Sequence, residues 1–454
     1  MVLAMELDYA TNEPKMEKDY SESVKLLLPE VEQLVASGEL QQALAKLHAL
    51  EKKTRSAADT WSTAQLLERI VDICGTANEW VLLEQQVALL AKKHGQLKVA
   101  ISKMVQRAMT YVDKTPDEPT RVQLIDSLRV VTEGKIHVEV ERARLTRMRV
   151  AIYEQHGMVK EACEMLQEVQ VETYGSMERR EKTDFILEQM RLCLAKRDYV
   201  RMAIIGHKIN PKYFTREGTE DLKLRFYELM IQYDLHEENY LEVCRHYQQV
   251  YNTPSVQEDA QKWPVVLQNV VLYLVLAPYD NEQSDMLHRV QGDHRLEKLE
   301  LCAQLAKSFS TMELTRWPAV EAVYGAEFQA TDVFSSATDE GRVRWGVLRD
   351  RVIEHNVRVV ARYYGRATLG RLSELLDLGS DEVERFLARA VVDGSVYARI
   401  DRPRGVVSFE RPSDAEDQLN TWASDVGRLL SLVEKTTHLI AKEEIVSKIA
   451  RTLN

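Results

Sequence analysis

Five short polar turns recur along the N-terminal half, each followed at once by a large or aliphatic residue that opens a new amphipathic run. They are Ser37-Gly38-Glu39-Leu40, Ala77-Asn78-Glu79-Trp80, His156-Gly157-Met158-Val159, Lys196-Arg197-Asp198-Tyr199 and Glu237-Glu238-Asn239-Tyr240. The opening residues fall at 40, 80, 159, 199 and 240. Those intervals are about 40 residues or twice that, the length of two helices and their turns in a tetratricopeptide-like or HEAT-like unit. The unit near 120 is irregular: Lys114 to Pro119 supplies a loop, and Val122, Ile125, Leu128 and Val131 follow at helical spacing. Apolar positions in each run return three or four apart, as in Val159, Ala162, Cys163, Leu166 and Val169. Each helix then buries one stripe against the next, and the pairs stack into a solenoid. Trp80, Tyr199 and Tyr240 read as inter-helix packing residues rather than ligand contacts.

Composition agrees with a mainly α chain. Only 18 Gly and 11 Pro occur in 454 residues, and the common residues are helix formers. At this length the chain holds several units or one elongated array. The formal charge of -11 argues for protein partners over nucleic acid, whose phosphates need a basic surface. Cys74, Cys163, Cys193, Cys244 and Cys302 contain no Cys-x-x-Cys; they indicate neither a disulfide framework nor a zinc knuckle and read as buried thiols in a reducing compartment. Met1 to Met16 lacks a basic stretch followed by an apolar one, so no leader is expected. The most apolar run, Val265 to Ala277, contains Gln268 and Asn269 and falls short of the roughly 20 residues a bilayer span needs. The expected location is cytoplasm and nucleus.

Catalytic signatures are missing from the sequence. The nearest approach to a phosphate loop, Gly365 to Gly370, continues into Arg371-Leu372 and places no lysine and hydroxyl on a nucleotide. Neither Gly-x-Gly-x-x-Gly nor Gly-x-Ser-x-Gly occurs. The 11 histidines form no His-Glu-x-x-His or His-x-His, and Glu237-Glu238 and Glu443-Glu444 point to different faces of their helices. The reading is of a non-enzyme with no cofactor, no metal and no catalytic residue.

From about Gly341 the pattern changes. Arg349 to Tyr364, Thr368 to Leu376 and Ser380 to Asp393 read as three helices, the last with Val383, Phe386, Leu387 and Ala390 on one face. Val396 to Ile400 then alternates, Asp401 to Gly405 turns, and Val406 to Phe409 returns, which makes a β-hairpin and completes a winged helix. Winged helices often read DNA, and residues 341–412 carry 14 Arg against 10 acids. The third helix, however, carries Asp381, Glu382, Glu384 and Asp393 against Arg385 and Arg389, and phosphate would repel it. Arg402 and Arg404 are the best support for the nucleic-acid alternative. A protein-binding module is the favoured reading.

The last helix is expected from about Ala415 to Leu453, with no Pro and only Gly427 as a weak point. Trp422, Val426, Leu429, Val433, Thr436 and Ile440 follow steps of four and three, the spacing of a helix-bundle seam. Glu443-Glu444 interrupt it before Ile445 and Ile449 resume. Two destinations are open for this stripe, the chain's own winged helix or another chain. A helix of roughly 57 Å, at 1.5 Å per residue, outreaches a module of this size, so part of the seam must find a partner.

A helical repeat running into a winged helix is the architecture of PCI domains. Beyond architecture, Val131-Thr132-Glu133-Gly134-Lys135-Ile136, VQVETYGSMERREKTDFILEQMRLCLAKRDY (Val169 to Tyr199), VLYLVLAPYDNEQSDMLHR (Val271 to Arg289) and KTTHLIAKEE (Lys435 to Glu444) resemble the PCI-domain lid subunits of the proteasome regulatory particle, in particular the family of non-ATPase regulatory subunit twelve. The resemblance runs from about Lys15 to Ala450 and is weak over Gly325 to Arg344. It implies a non-catalytic lid scaffold that supports ubiquitin-dependent degradation. The implied partners are other PCI-domain lid subunits, the zinc-bearing lid deubiquitinase and the base ATPases, with no nucleic acid and no membrane. A PCI subunit of the related signalosome is the alternative.

The expected organisation is a tail over 1–14, a solenoid over 15–250, the helical part of the PCI domain over 251–340, a winged helix over 341–412 and the assembly helix over 413–454. Partner-binding residues are expected on the hairpin, at Val396, Ile400, Arg402, Arg404, Val407 and Phe409, where backbone edges can extend a neighbour's sheet. On the last helix they are expected at Trp422, Val426, Leu429, Val433 and Ile440.

Overall fold

The computed structural model describes residues 18–216, 218–411 and 414–452. The tail over 1–14 and the leader reading over 1–16 lie outside them, as do Leu453 and the side chain of Ile449. The chain divides into two compact units between Glu258 and Asp259.

In the first unit the described helices run in six pairs. These are α1 (Ser21–Ala36) with α2 (Leu40–Ser56), α3 (Thr60–Thr76) with α4 (Trp80–Lys92), α5 (Lys98–Val112) with α6 (Glu118–Thr132), α7 (Glu139–Gln155) with α8 (Val159–Gln167), α9 (Arg179–Lys196) with α10 (Tyr199–Gly206), and α11 (Glu220–His236) with α12 (Tyr240–Tyr251). A short α13 (Pro254–Glu258) closes the unit. All five opening residues of the sequence repeat are first residues of second helices. The irregular unit near 120 is the α5/α6 pair, and Ile125, Leu128 and Val131 face its core.

The polar turns work through backbone geometry. Two residues before each opening residue the chain enters the left-handed region: Gly38, Asn78, Gly157, Arg197 and Glu238 have φ of 83, 57, 74, 62 and 57°. The next N–H then reaches back to the carbonyl five residues earlier: Glu39 to Leu34 at 3.0 Å, Glu79 to Cys74 at 3.1 Å, Met158 to Tyr153 at 2.9 Å, Asp198 to Cys193 at 2.9 Å and Asn239 to Asp234 at 3.0 Å. That bond satisfies an orphan carbonyl and reverses the chain at a fixed angle, so the second helix returns along the first. Ala58, with φ of 55°, makes the same turn into α3, through a 3.0 Å bond from Asp59 to Thr54. No bulky residue marks that one in the sequence.

Trp80 and Tyr240 are 8% and 6% exposed, as inter-helix packing demands. Tyr199 is half-buried and stacks on His236, with ring centroids 3.6 Å apart and planes 15° from parallel. Polar bonds join first helices of successive pairs at nearly the repeat length. Asp72 of α3 accepts from Arg107 of α5 at 2.6 and 3.1 Å, and Glu141 of α7 accepts from Gln106 of α5 at 2.7 Å. Arg144 and Arg147 of α7 donate to Glu181 and Asp184 of α9 at 2.6 Å, and Arg225 of α11 donates to Asp184 at 3.0 Å.

The second unit begins with α14 (Lys262–Leu276), α15 (Asn281–Gln291), α16 (Glu300–Ser310) and α17 (Trp317–Phe328). The apolar run identified in the sequence is α14, buried from Val270 to Leu276. No described helix is long and apolar enough to cross a membrane. The following helix, α18 (Asp339–Tyr363), starts ten residues earlier than its sequence pattern suggests. Thr338 caps it by accepting the Gly341 N–H at 3.2 Å. Gly341 faces the loop at Ser335, whose carbonyl oxygen leaves no room for a Cβ. Arg344 is nearly buried and donates to the Val333 carbonyl at 3.0 Å.

Further along, α18 gathers two loose ends. Arg351 Nε donates to the Leu276 carbonyl at the end of α14 at 3.0 Å. The Asn356 amide clasps Thr315, accepting from its N–H at 2.9 Å and donating to its carbonyl at 2.7 Å. Beside it His355 is buried, and loss of water, with the Arg358 charge added, pushes its pKa down to about 4.

Candidate assembly surfaces

The winged-helix module follows α18 and comprises β1 (Arg366–Thr368), α19 (Leu369–Leu376), α20 (Ser380–Val392), β2 (Arg399–Asp401) and β3 (Val406–Ser408). Thr368 caps α19 by accepting the Arg371 N–H at 3.3 Å. Its core joins Ile353, Val357 and Val360 of α18 to Leu372, Leu376, Val383 and Leu387, and to Val407 of the hairpin.

Sequence reasoning missed β1, which is three residues long and lies in a Gly-Arg-Ala-Thr stretch without alternation. It pairs antiparallel with β3, Ala367 opposite Val407, and β2 takes the other side, Ile400 opposite Val407. The sheet order is therefore β1-β3-β2, which corrects the expected use of the whole hairpin edge. β3 has no free edge; the hairpin's outer edge is β2.

Side chains divide the hairpin candidates. Val396, Val407 and Phe409 are buried in the module's own core, at 8%, 0% and 8% exposure. This corrects their placement on a partner surface: their apolar area is already covered. Ile400 is half-buried. Arg402 and Arg404 are exposed, and each meets an acid: Arg402 reaches Glu384 of α20 at 3.1 Å and Arg404 reaches Asp401 at 3.8 Å. The acidic helix thus takes up one of the two wing charges that the nucleic-acid reading relies on.

The last helix, α21, runs Ala415–Thr452 as one element of 38 residues. Every side chain described along it is exposed. Trp422, Leu429, Val433 and Ile440 are 67%, 62%, 55% and 57% exposed, and Val426 is at 37%. Of the two destinations open to this stripe, the chain's own winged helix is not the one taken among the described residues. Leu430, Leu432 and Leu439 are exposed as well and lie beside the seam. They widen the apolar arc beyond the single stripe read from the sequence. A two-stranded coiled coil needs only the seam, so such an arc suits contact with more than one helix.

Among the described residues no group of three or more His, Cys, Asp or Glu side chains is placed to hold a metal ion. What the geometry offers is surface: an open strand edge, a charged wing and a long uncovered apolar helix.

Paired helices leading into a winged helix define a PCI-domain protein, and the PCI domain model matches residues 327–411. Two further models match on either side, "PSMD12/CSN4, N-terminal" over 42–259 and "26S proteasome regulatory subunit RPN5 C-terminal domain" over 417–448. The 26S proteasome regulatory subunit rpn501 of Schizosaccharomyces pombe is 44% identical over 441 residues, 97% of this chain and 99% of the relative. The 26S proteasome non-ATPase regulatory subunit 12 of Dictyostelium discoideum is 40% identical over 435 residues, 96% of each. The COP9 signalosome complex subunit 4 of Caenorhabditis elegans is only 18% identical over 319 residues, 69% of this chain and 74% of that one. This chain belongs to the family of 26S proteasome regulatory subunit RPN5, also called non-ATPase regulatory subunit 12.

Proposed function

We propose that this chain is a non-catalytic scaffold of the proteasome regulatory particle, held in the lid through its PCI module and its C-terminal helix. The observation that carries this reading is α21: 38 helical residues with an apolar arc that no described residue covers. Burying the five seam side chains contributes on the order of 10 kcal/mol before ordering costs, enough to decide incorporation. The β2 edge with Arg402 and Arg404 is a second contact, of the strand-addition kind. Its partners are other PCI-domain lid subunits, with the lid deubiquitinase and the base ATPases in the same particle. It acts in the cytoplasm and nucleus, in support of ubiquitin-dependent degradation, and needs no cofactor.

Affinity purification of the tagged full chain tests this. Proteolytic core and ATPase subunits are expected in the eluate, and a chain ending at Pro412 should be soluble and fail to bring them down. Recovery of a deneddylating complex alone would assign the chain to the signalosome, and salt-sensitive binding of duplex DNA would favour the nucleic-acid reading.

A further inference from the structure

Cys163 of α8 and Cys193 of α9 belong to different helix pairs, yet their sulfurs lie 3.9 Å apart. Both residues are buried, at 1% and 0% exposure. A single side chain attends both sulfurs: the Gln167 amide donates to Cys163 Sγ at 3.0 Å and to Cys193 Sγ at 3.1 Å. Gln167 is in turn held by Arg201, which donates to its Oε1. The half-exposed Gln167 also lines a cavity of about 160 Å³ with Arg201, Gln189, Ile205 and Lys208. The cavity ends at Gln167 and neither sulfur lines it, so a small oxidant reaches the dithiol only when the amide swings aside.

We propose that Cys163 and Cys193 are a hydroperoxide-reactive dithiol that closes to a disulfide between the fourth and fifth helix pairs. The Cys163 sulfur attacks the O–O bond of hydrogen peroxide, forming a sulfenic acid and releasing one water once the departing hydroxide takes the thiol proton. The Cys193 sulfur then displaces the sulfenic oxygen, which leaves as a second water with the remaining thiol proton. Two thiols and one peroxide give one disulfide and two waters. The sulfurs must close from 3.9 Å to about 2.05 Å, which requires a side-chain rotation and a small approach of α8 to α9.

The surroundings assign the order of attack. The contact between the two thiols, in which either sulfur can donate, together with the nearby Lys196 and Arg201 charges, holds the Cys163 thiol below its ordinary range, while the same contact and burial push Cys193 up. Cys163 is thus the nucleophile and Cys193 the resolving thiol. Elsewhere in the chain burial, joined by the Glu79 charge at Cys74 and the Glu327 charge at Cys302, drives thiols the other way, Cys74 up to about 11 and Cys244 and Cys302 up to about 12.

The test treats the native full-length chain with hydrogen peroxide, alkylates free thiols, and maps peptides without reduction. A Cys163–Cys193 linked peptide, lighter by two hydrogens and lost on adding dithiothreitol, is expected, with Cys74, Cys244 and Cys302 alkylated only after denaturation. The variant Gln167→Leu should form the link roughly tenfold more slowly, since the amide no longer stabilises the attacking thiolate. In Cys193→Ser the reaction should stop at a Cys163 sulfenic acid that dimedone traps. Oxidation of Cys163 to sulfinic acid in the wild-type chain without a link, a link formed only in urea, or no reaction at all would each overturn the proposal.

Discussion

Arg191 lies 37 residues beyond Glu154, and the two side chains meet through parallel bonds of 2.6 and 2.7 Å between α7 and α9. The separation is one repeat. Because each pair of helices is laid on the last with the same offset, a favourable charge pair at one junction has a counterpart at the next, and the repeat is written in ion pairs as well as apolar stripes. Both side chains are about one-third exposed, so water screens the attraction. A double-mutant cycle of Arg191→Met and Glu154→Gln should give a coupling of about 1 kcal/mol, measured by urea unfolding and shrinking as salt is raised.

Glu238 adopts φ of 57° in the turn before Tyr240 and is exposed. A glutamate pays a steric cost there that a glycine avoids, and the glycine's looser unfolded chain offsets part of the gain. Glu238→Gly should raise the urea midpoint, by about 0.5 kcal/mol of stability. A lower midpoint would show that the turn owes its shape to the side chain.

Gly341 admits no Cβ because the Ser335 carbonyl occupies that space. Gly341→Ala should cost about 2 kcal/mol or more, whereas Gly346→Ala, on the same helix with open space around it, should stabilise by about 1 kcal/mol. Thermal melts of the two variants should move in opposite directions.

These two glycines also explain where the sequence was hard to read. Gly341 and Gly346 are both weak helix formers, and both lie in the ten residues of α18 that the sequence pattern, starting at Arg349, leaves out. Nothing local distinguishes a glycine that weakens a helix from one that lets a loop cross it. The repeat was legible because the left-handed turn and the opening residue recur together at fixed spacing. The three-residue β1 was not, since its pairing with β3 is decided by contacts some 40 residues away. On the hairpin, alternation locates the strands but not the faces: Val396, Val407 and Phe409 share one core with apolar residues of α18 and α20. On α21 the steps of four and three mark a seam, and Leu430, Leu432 and Leu439 fall outside a strict heptad.

His355 sits neutral beside Arg358, its pKa lowered from 6.5 to about 4. A lowered folded-state pKa means the unfolded chain binds the proton first. The stability due to His355 is therefore intact above about pH 6.5 and is lost as pH falls toward 4. His355→Gln should remove on the order of 3 kcal/mol of that pH dependence, read as a flatter plot of melting temperature between pH 4 and 6.5 than the wild type gives.

On α21, Leu429→Asp with Val433→Asp should leave the melting temperature within about 1 °C of wild type, because both positions are exposed in the lone chain. Co-purification of proteasome subunits should fall at least tenfold. A lower melting temperature would make the helix an intramolecular strut; normal recovery would move the assembly contact elsewhere.

The uncovered arc of α21 also bears on how much of this chain a cell can hold. A copy made in excess of its partners keeps Trp422, Leu429 and Ile440 in water, a standing invitation to chaperones, to self-association and to destruction. In its proposed assembly role the helix thereby doubles as a stoichiometry gauge: supply beyond the number of vacant places removes itself.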